Sequence, residues 1–128
     1  LARGIKALHA LFAKHGYQEA IIFGHALAGN LHFVFTQRFD NDEQVARYER
    51  FMAEVAQLVA VELNGSLKAE HGTGRNMAPF VALEWGDDGY GVMKQIKQLF
   101  DPKVASSLQK HILEVDLEMG NFLIKPHQ

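Results

Sequence analysis

The stretch Phe23-Gly24-His25-Ala26-Leu27-Ala28-Gly29-Asn30-Leu31-His32 decides how this chain is read. A Gly-Asn turn signal stands between two apolar runs, Ala20 to Gly24 and Leu31 to Gln37, and runs of this kind on either side of turn residues read as a β-hairpin. One histidine sits at each lip. Residues opposite each other on an antiparallel pair have Cβ atoms about 4.5–5.5 Å apart, and imidazole nitrogens bind a divalent metal at about 2.0–2.1 Å. His25 and His32 facing each other could therefore share one ion. The plainer reading stands beside it, because two histidines flanking a turn are more often solvated or bonded to backbone.

Farther along, Ala69-Glu70-His71-Gly72-Thr73-Gly74-Arg75 offers what such a pair lacks. Glu70 is the carboxylate available as a third ligand, and His71 beside it is a spare base. Gly72 and Gly74 let backbone approach a ligand closely, and Arg75 could clamp a carboxylate with two parallel donors. The alternatives are a polar turn after a strand and an arginine bonded to nearby carbonyls.

The other elements frame these two stretches. Ile5, Leu8, Leu11 and Phe12 recur at helical spacing and Gly16 supplies a stop, which predicts a helix over 2–15, with His9 and His15 expected as solvated helix residues. In the second strand Leu31, Phe33 and Phe35 point to one face, His32, Val34 and Thr36 to the other. One face can take helices, and the face carrying His25 and His32 is expected to meet a partner domain. Asp40-Asn41-Asp42-Glu43 is a capping pattern, and the stripe from Val45 to Val59 predicts a long helix over 41–63. Ser66 to Ala69 reads as a short strand delivering Glu70 and His71. Asn76 to Glu84 reads as a short helix with Pro79 in its first turn, closed by Trp85-Gly86. Asp87 or Asp88 then caps a helix carrying Val92, Met93, Ile96, Leu99 and Phe100 inward until Asp101-Pro102 stops it. The alternation over 112–119 and Gly120-Asn121 suggest a further hairpin.

At 128 residues, with 48% hydrophobic residues and net charge −2, the chain suits one globular domain that buries roughly two-thirds of its unfolded surface. No basic run of the kind that binds a phosphate backbone occurs, so nucleic acid is not an expected partner. Cysteine is absent, which excludes disulfides and cysteine-ligated iron–sulfur clusters here and fits a reducing compartment. The expectation is a cytoplasmic protein, with peripheral attachment to the inner membrane as the variant for the full-length chain. The chain begins without methionine, already in helical pattern, and reads as a piece of something longer.

The motifs in their order carry a resemblance. Gly24-His25-x-x-x-Gly29-Asn30-Leu31-His32, a long helix, Asn64-Gly65-Ser66-x-x-Ala69-Glu70-His71-Gly72-x-Gly74-Arg75, then Glu84-Trp85-Gly86 and a helix ending Phe100-Asp101-Pro102, together resemble the C-terminal domain of FAD-linked oxidases. These are the flavin-dependent D-2-hydroxy-acid dehydrogenases, acting on D-lactate, glycolate or D-2-hydroxyglutarate. The resemblance runs from about Phe23 to Pro102, so that 1–102 is read as the domain and 103–128 as a divergent tail. The family's usual His-x-Gly-Asp-Gly-Asn appears here as His25-Ala26-Leu27-Ala28-Gly29-Asn30, without the acidic residue.

The resemblance implies an α+β, ferredoxin-like antiparallel sheet with helices on one face, its first strand and flavin-binding half lying upstream of Leu1. It implies oxidation of a D-2-hydroxy acid with hydride passing to FAD. No Gly-rich phosphate-binding fingerprint occurs in this segment, so FAD would be bound mainly by the upstream domain. Carried over residue by residue, the resemblance makes His25, His32 and Glu70 ligands of a divalent metal such as zinc or manganese, His71 the general base, and Asn30 and Arg75 substrate-binding groups. Asn30 would either fix the hairpin or donate to substrate. Two other classes of function remain: a non-catalytic metal- or partner-binding α+β module, and a hydrolytic zinc enzyme using the same ligands. The electron acceptor is not specified, and a homodimer stays open.

Overall fold

The computed structural model describes residues 1–68 and 74–102. Helix α1 (Ala2–His15) comes first, followed by strands β1 (Ile21–His25) and β2 (Asn30–Val34), helix α2 (Asp42–Ala56) running on into a π-helical segment (Gln57–Glu62), a short helix α3 (Gly74–Met77), a 3₁₀ turn (Ala78–Phe80) and helix α4 (Val81–Phe100). The fold is α+β: β1 and β2 pair antiparallel, and α1 and α2 cover one face of the pair.

Local chemistry sets the ends of these elements. Gly16 closes α1 at φ 75, with the Tyr17 N–H donating to Phe12 O at 2.8 Å and the Gly16 N–H to Ala13 O at 3.3 Å. This double closure requires a left-handed residue, which glycine adopts without a Cβ penalty. Asn41 caps α2, its side chain accepting from the Gln44 N–H at 3.0 Å, which satisfies one of the helix's orphan donors. The expected long helix is therefore present, except that its last turns widen into the π segment.

The core is Leu8 and Phe12 of α1, Tyr17 of the connection, and Phe51, Met52, Val55 and Leu58 of α2 and its extension, with Ile22, Leu31, Phe33 and Phe35 of the hairpin packed against it. Phe51 is fully buried, its ring 4.8 to 6.1 Å from those of Tyr17, Phe35, Phe12 and Phe33. Aromatic groupings of this kind add stabilisation beyond the area they bury. The face assignment of β2 holds, with Leu31, Phe33 and Phe35 turned to the core.

Four expectations change. His15 is not solvated: its side chain is 7% exposed, packed edge-on to Phe51 at 5.6 Å, with Nε2 3.4 Å from Glu54. Ser66 to Lys68 is not a strand, because the Leu67 N–H is committed to the Glu84 carboxylate at 2.9 Å and that of Lys68 to Ser66 Oγ at 3.4 Å, leaving neither for a ladder. The short helix begins at Gly74 instead of Asn76, while the break expected at Trp85-Gly86 is present, Gly86 having the non-helical φ of 72 and ψ of 166. The α4 stripe does not point inward among the described residues: Ile96, Leu99 and Phe100 are exposed, and α4 packs chiefly against the π segment and the 3₁₀ turn. The hairpin expected over 112–124 lies outside the described residues.

Candidate functional site

The hairpin presents one face to the core and the other outward. Register pairs Phe23 with His32, Gly24 with Leu31, and His25 with Asn30. Paired residues project to the same side, so Ile21, Phe23, His25, Asn30, His32 and Val34 share the outer face. His25 and His32 are thus neighbours on one face, but they sit diagonally and not opposite each other. Their ring centroids are 5.9 Å apart and their planes nearly perpendicular at 87°.

The loop makes this register. Four residues, Ala26 to Gly29, join the strands, with the Ala28 N–H donating to His25 O at 3.0 Å and the Gly29 N–H to Ala26 O at 3.2 Å. Gly29 completes the reversal at φ 70, a conformation that favours glycine. Asn30 closes the mouth, its Oδ1 accepting from the His25 N–H at 3.0 Å. Of the two roles expected for Asn30, fixing the hairpin is the one this bond performs. Gly24 is equally constrained: a Cβ there would lie 2.2 Å from Asn30 O, so nothing larger fits between the strands next to the first histidine.

One residue not singled out from the sequence supports the site. The Phe23 ring stacks on the His32 imidazole at 5.5 Å and 12°, and the period-two spacing of Phe23 and His25 was the available signal. Glu84 holds the Leu67 amide, three residues before Glu70; its place in the Glu-Trp-Gly motif was the only hint. Beside the hairpin mouth, α1 and the strands enclose a groove of about 220 Å³ whose lining includes Leu1, Ile5, His9, Phe23 and Asn30.

An ion about 2.1 Å from one nitrogen of each imidazole places the ring centroids at most about 6.5 Å apart, and the 5.9 Å between His25 and His32 lies inside that limit. Among the described residues no group of three His, Cys, Asp or Glu comes together. Glu70 and His71 lie outside the described residues. Arg75 belongs to α3, and its side chain also lies outside them.

Residues 1–105 match the family described as FAD linked oxidases, C-terminal domain. This chain belongs to that family. The FAD-linked oxidase domain is 35% identical to the glycolate oxidase subunit GlcD of Bacillus subtilis over 103 residues, which cover 80% of this chain and 22% of the relative. It is 31% identical over 90 residues to a putative mitochondrial D-lactate dehydrogenase of Schizosaccharomyces pombe, covering 70% of this chain and 16% of that protein. Over 104 residues it is 30% identical to the D-2-hydroxyglutarate dehydrogenase of Stutzerimonas stutzeri, covering 77% and 22%. The FAD-linked oxidase domain thus spans between 16% and 22% of the length of these relatives. No solved structure matches it at a comparable significance. Among its described residues no helix is long and apolar enough to cross a membrane.

Proposed function

We propose that this chain is the substrate-binding domain of a flavoenzyme that oxidises a D-2-hydroxy acid to the 2-oxo acid. The observation that carries the reading is the pair of imidazoles, His25 and His32, held on the outward face of a hairpin in a domain of the FAD-linked oxidase family. That face is where an upstream flavin-binding half would meet the domain and enclose a substrate.

In the oxidation the C2–H bond breaks with its electron pair, the hydroxyl proton leaves, and a C2=O double bond forms. FAD, when bound, supplies the acceptor for the hydride from C2. His25 and His32, with Glu70 as the third ligand, would hold a divalent metal, a donor set that suits zinc, manganese or iron(II). A metal held by these residues would lower the pKa of a hydroxyl beside it. His71 takes the hydroxyl proton, a task to which a neutral imidazole is matched near pH 7. Arg75 pairs with the substrate carboxylate in two-point fashion. Asn30 keeps His25 in place through its backbone N–H.

The test is turnover of a panel of D-2-hydroxy acids by the full-length, flavin-loaded protein with an artificial acceptor dye. Bleaching of the flavin by at least one D-acid and not by its L-enantiomer is the expected result. A flavin that no 2-hydroxy acid reduces returns the chain to the binding-module reading.

A further inference from the structure

Phe23 is a large apolar side chain that the core does not use. Among the described residues it takes no part in the cluster around Phe51, and it stays 54% exposed. Its ring nevertheless has a defined partner. Phe23 is the register partner of His32 and lies flat against that imidazole, with 5.5 Å between centroids and 12° between planes. Offset stacking at this separation is a favoured arrangement of flat π systems. His25, on the same face, meets His32 at 87° instead. The plane of the His32 ring is therefore matched to Phe23 and not to the neighbouring histidine.

We infer that Phe23 is a positioning residue for the metal site: by stacking on His32 it holds the imidazole in the plane from which an ion shared with His25 is bound. The inference rests on the ligand roles proposed above for His25 and His32. An imidazole nitrogen offers its lone pair in the plane of the ring, so that plane decides where a shared ion can lie. The terminal torsion of a histidine is otherwise broad, and an ion binding a freely turning ring gives up part of its affinity to ordering it. A ring already held flat by Phe23 has lost that freedom before the ion arrives. The device needs a flat partner. An aliphatic side chain of similar bulk fills the space beside the imidazole without fixing its plane.

The experiment strips the full-length, flavin-loaded protein of metal with a chelator and titrates it with Zn²⁺ alone, for the wild type and for Phe23→Ala, Phe23→Leu and Phe23→Tyr. Phe23→Ala and Phe23→Leu are expected to bind Zn²⁺ about tenfold or more weakly, the scale on which groups that orient a metal-binding histidine act, and Phe23→Tyr to stay within about threefold of the wild type. Thermal unfolding should be nearly the same throughout, because Phe23 stands outside the core. A second readout needs no metal: the ring current of Phe23 should shift the carbon-bound ring protons of His32 upfield in the wild type and in Phe23→Tyr, and the shift should vanish in Phe23→Ala and Phe23→Leu. Wild-type Zn²⁺ affinity in Phe23→Ala overturns the inference and leaves the ligand roles of the histidines intact. So does wild-type affinity in Phe23→Leu, the mark of bulk alone, or a loss in Phe23→Tyr equal to that in Phe23→Ala. A wild-type protein that binds no Zn²⁺ overturns the ligand roles themselves, and the inference with them.

Discussion

The Phe23 ring lies flat on the imidazole of His32, 5.5 Å between centroids, and the hairpin register enforces that pairing in place of one between His32 and His25. His25 consequently approaches His32 edge-on from the next step of the ladder. Each histidine is held differently: His32 by an aromatic ring, His25 through its backbone N–H on Asn30. Disturbing the strands at Gly24, between the two pairs, should therefore disturb both.

Gly24→Ala tests this directly. The added Cβ would stand 2.2 Å from the Asn30 carbonyl oxygen and 3.0 Å from Leu31 Cα, both backbone atoms that cannot rotate away. Forced overpacking of this kind typically costs about 1–3 kcal/mol. Denaturant unfolding should show that loss in Gly24→Ala. Gly91→Ala is the control: Gly91 lies inside α4 with nothing within 4 Å of its would-be Cβ, and replacing a helical glycine by alanine gains about 0.5–1 kcal/mol. A Gly24→Ala protein as stable as the wild type would mean that the strands are not so closely apposed.

What was legible in the sequence follows a pattern. Gly16, Asn41 and the alternation Leu31, Phe33, Phe35 act through bonds or periodicities only a few residues long, so the ends of α1, the start of α2 and the core face of β2 could be read directly. The Leu67 to Glu84 bond spans seventeen positions, and it turned an expected strand into an irregular segment. The π segment at Gln57–Glu62 continues the same apolar stripe as α2, so the change of helical register left no mark in the residue pattern. For the site, the two histidines and Asn30 were legible as a hairpin group, but the register was not. The Gly-Asn signal was read as the centre of the turn, whereas Asn30 is already the first residue of β2 and pairs with His25. The α4 stripe was read as core because periodicity reports an apolar face and not what covers it.

Acid should weaken the link between α1 and α2. Lys14 Nζ lies 2.7 Å from Glu54 Oε2, and its hydrogen bonds hold the Glu54 carboxyl below its ordinary range, with a smaller contribution from His15 and against a cost of burial. Because the folded-state pKa is depressed, the stabilisation is present above the unfolded value, near 4.5, and is lost as pH falls through the folded one. Both groups are substantially exposed, so the effect is expected to be under about 1 kcal/mol. Glu54→Gln should therefore be less stable than the wild type above the unfolded value, with the gap closing as the pH falls through the folded one. A gap that persists unchanged at the acid end would assign the loss to packing and not to charge.

The proposed division of labour separates an enzyme from a binding module. If His25, His32 and Glu70 hold a metal while His71 moves a proton, His25→Ala in the full-length protein should lose bound metal and activity together. His71→Ala should keep the metal. Removing a general base costs roughly 10²–10⁴-fold in rate, equivalent to about 3–5.5 kcal/mol of barrier at 1.36 kcal/mol per tenfold. That loss should fall on reduction of the flavin by substrate and spare its reoxidation by the acceptor, because only the first step releases the hydroxyl proton. Metal content by elemental analysis and the two half-reactions by stopped flow measure the outcomes separately. Metal retained in His25→Ala would remove that residue from the ligand set. A His71→Ala protein that reduces its flavin at the wild-type rate would move the proton transfer to another residue.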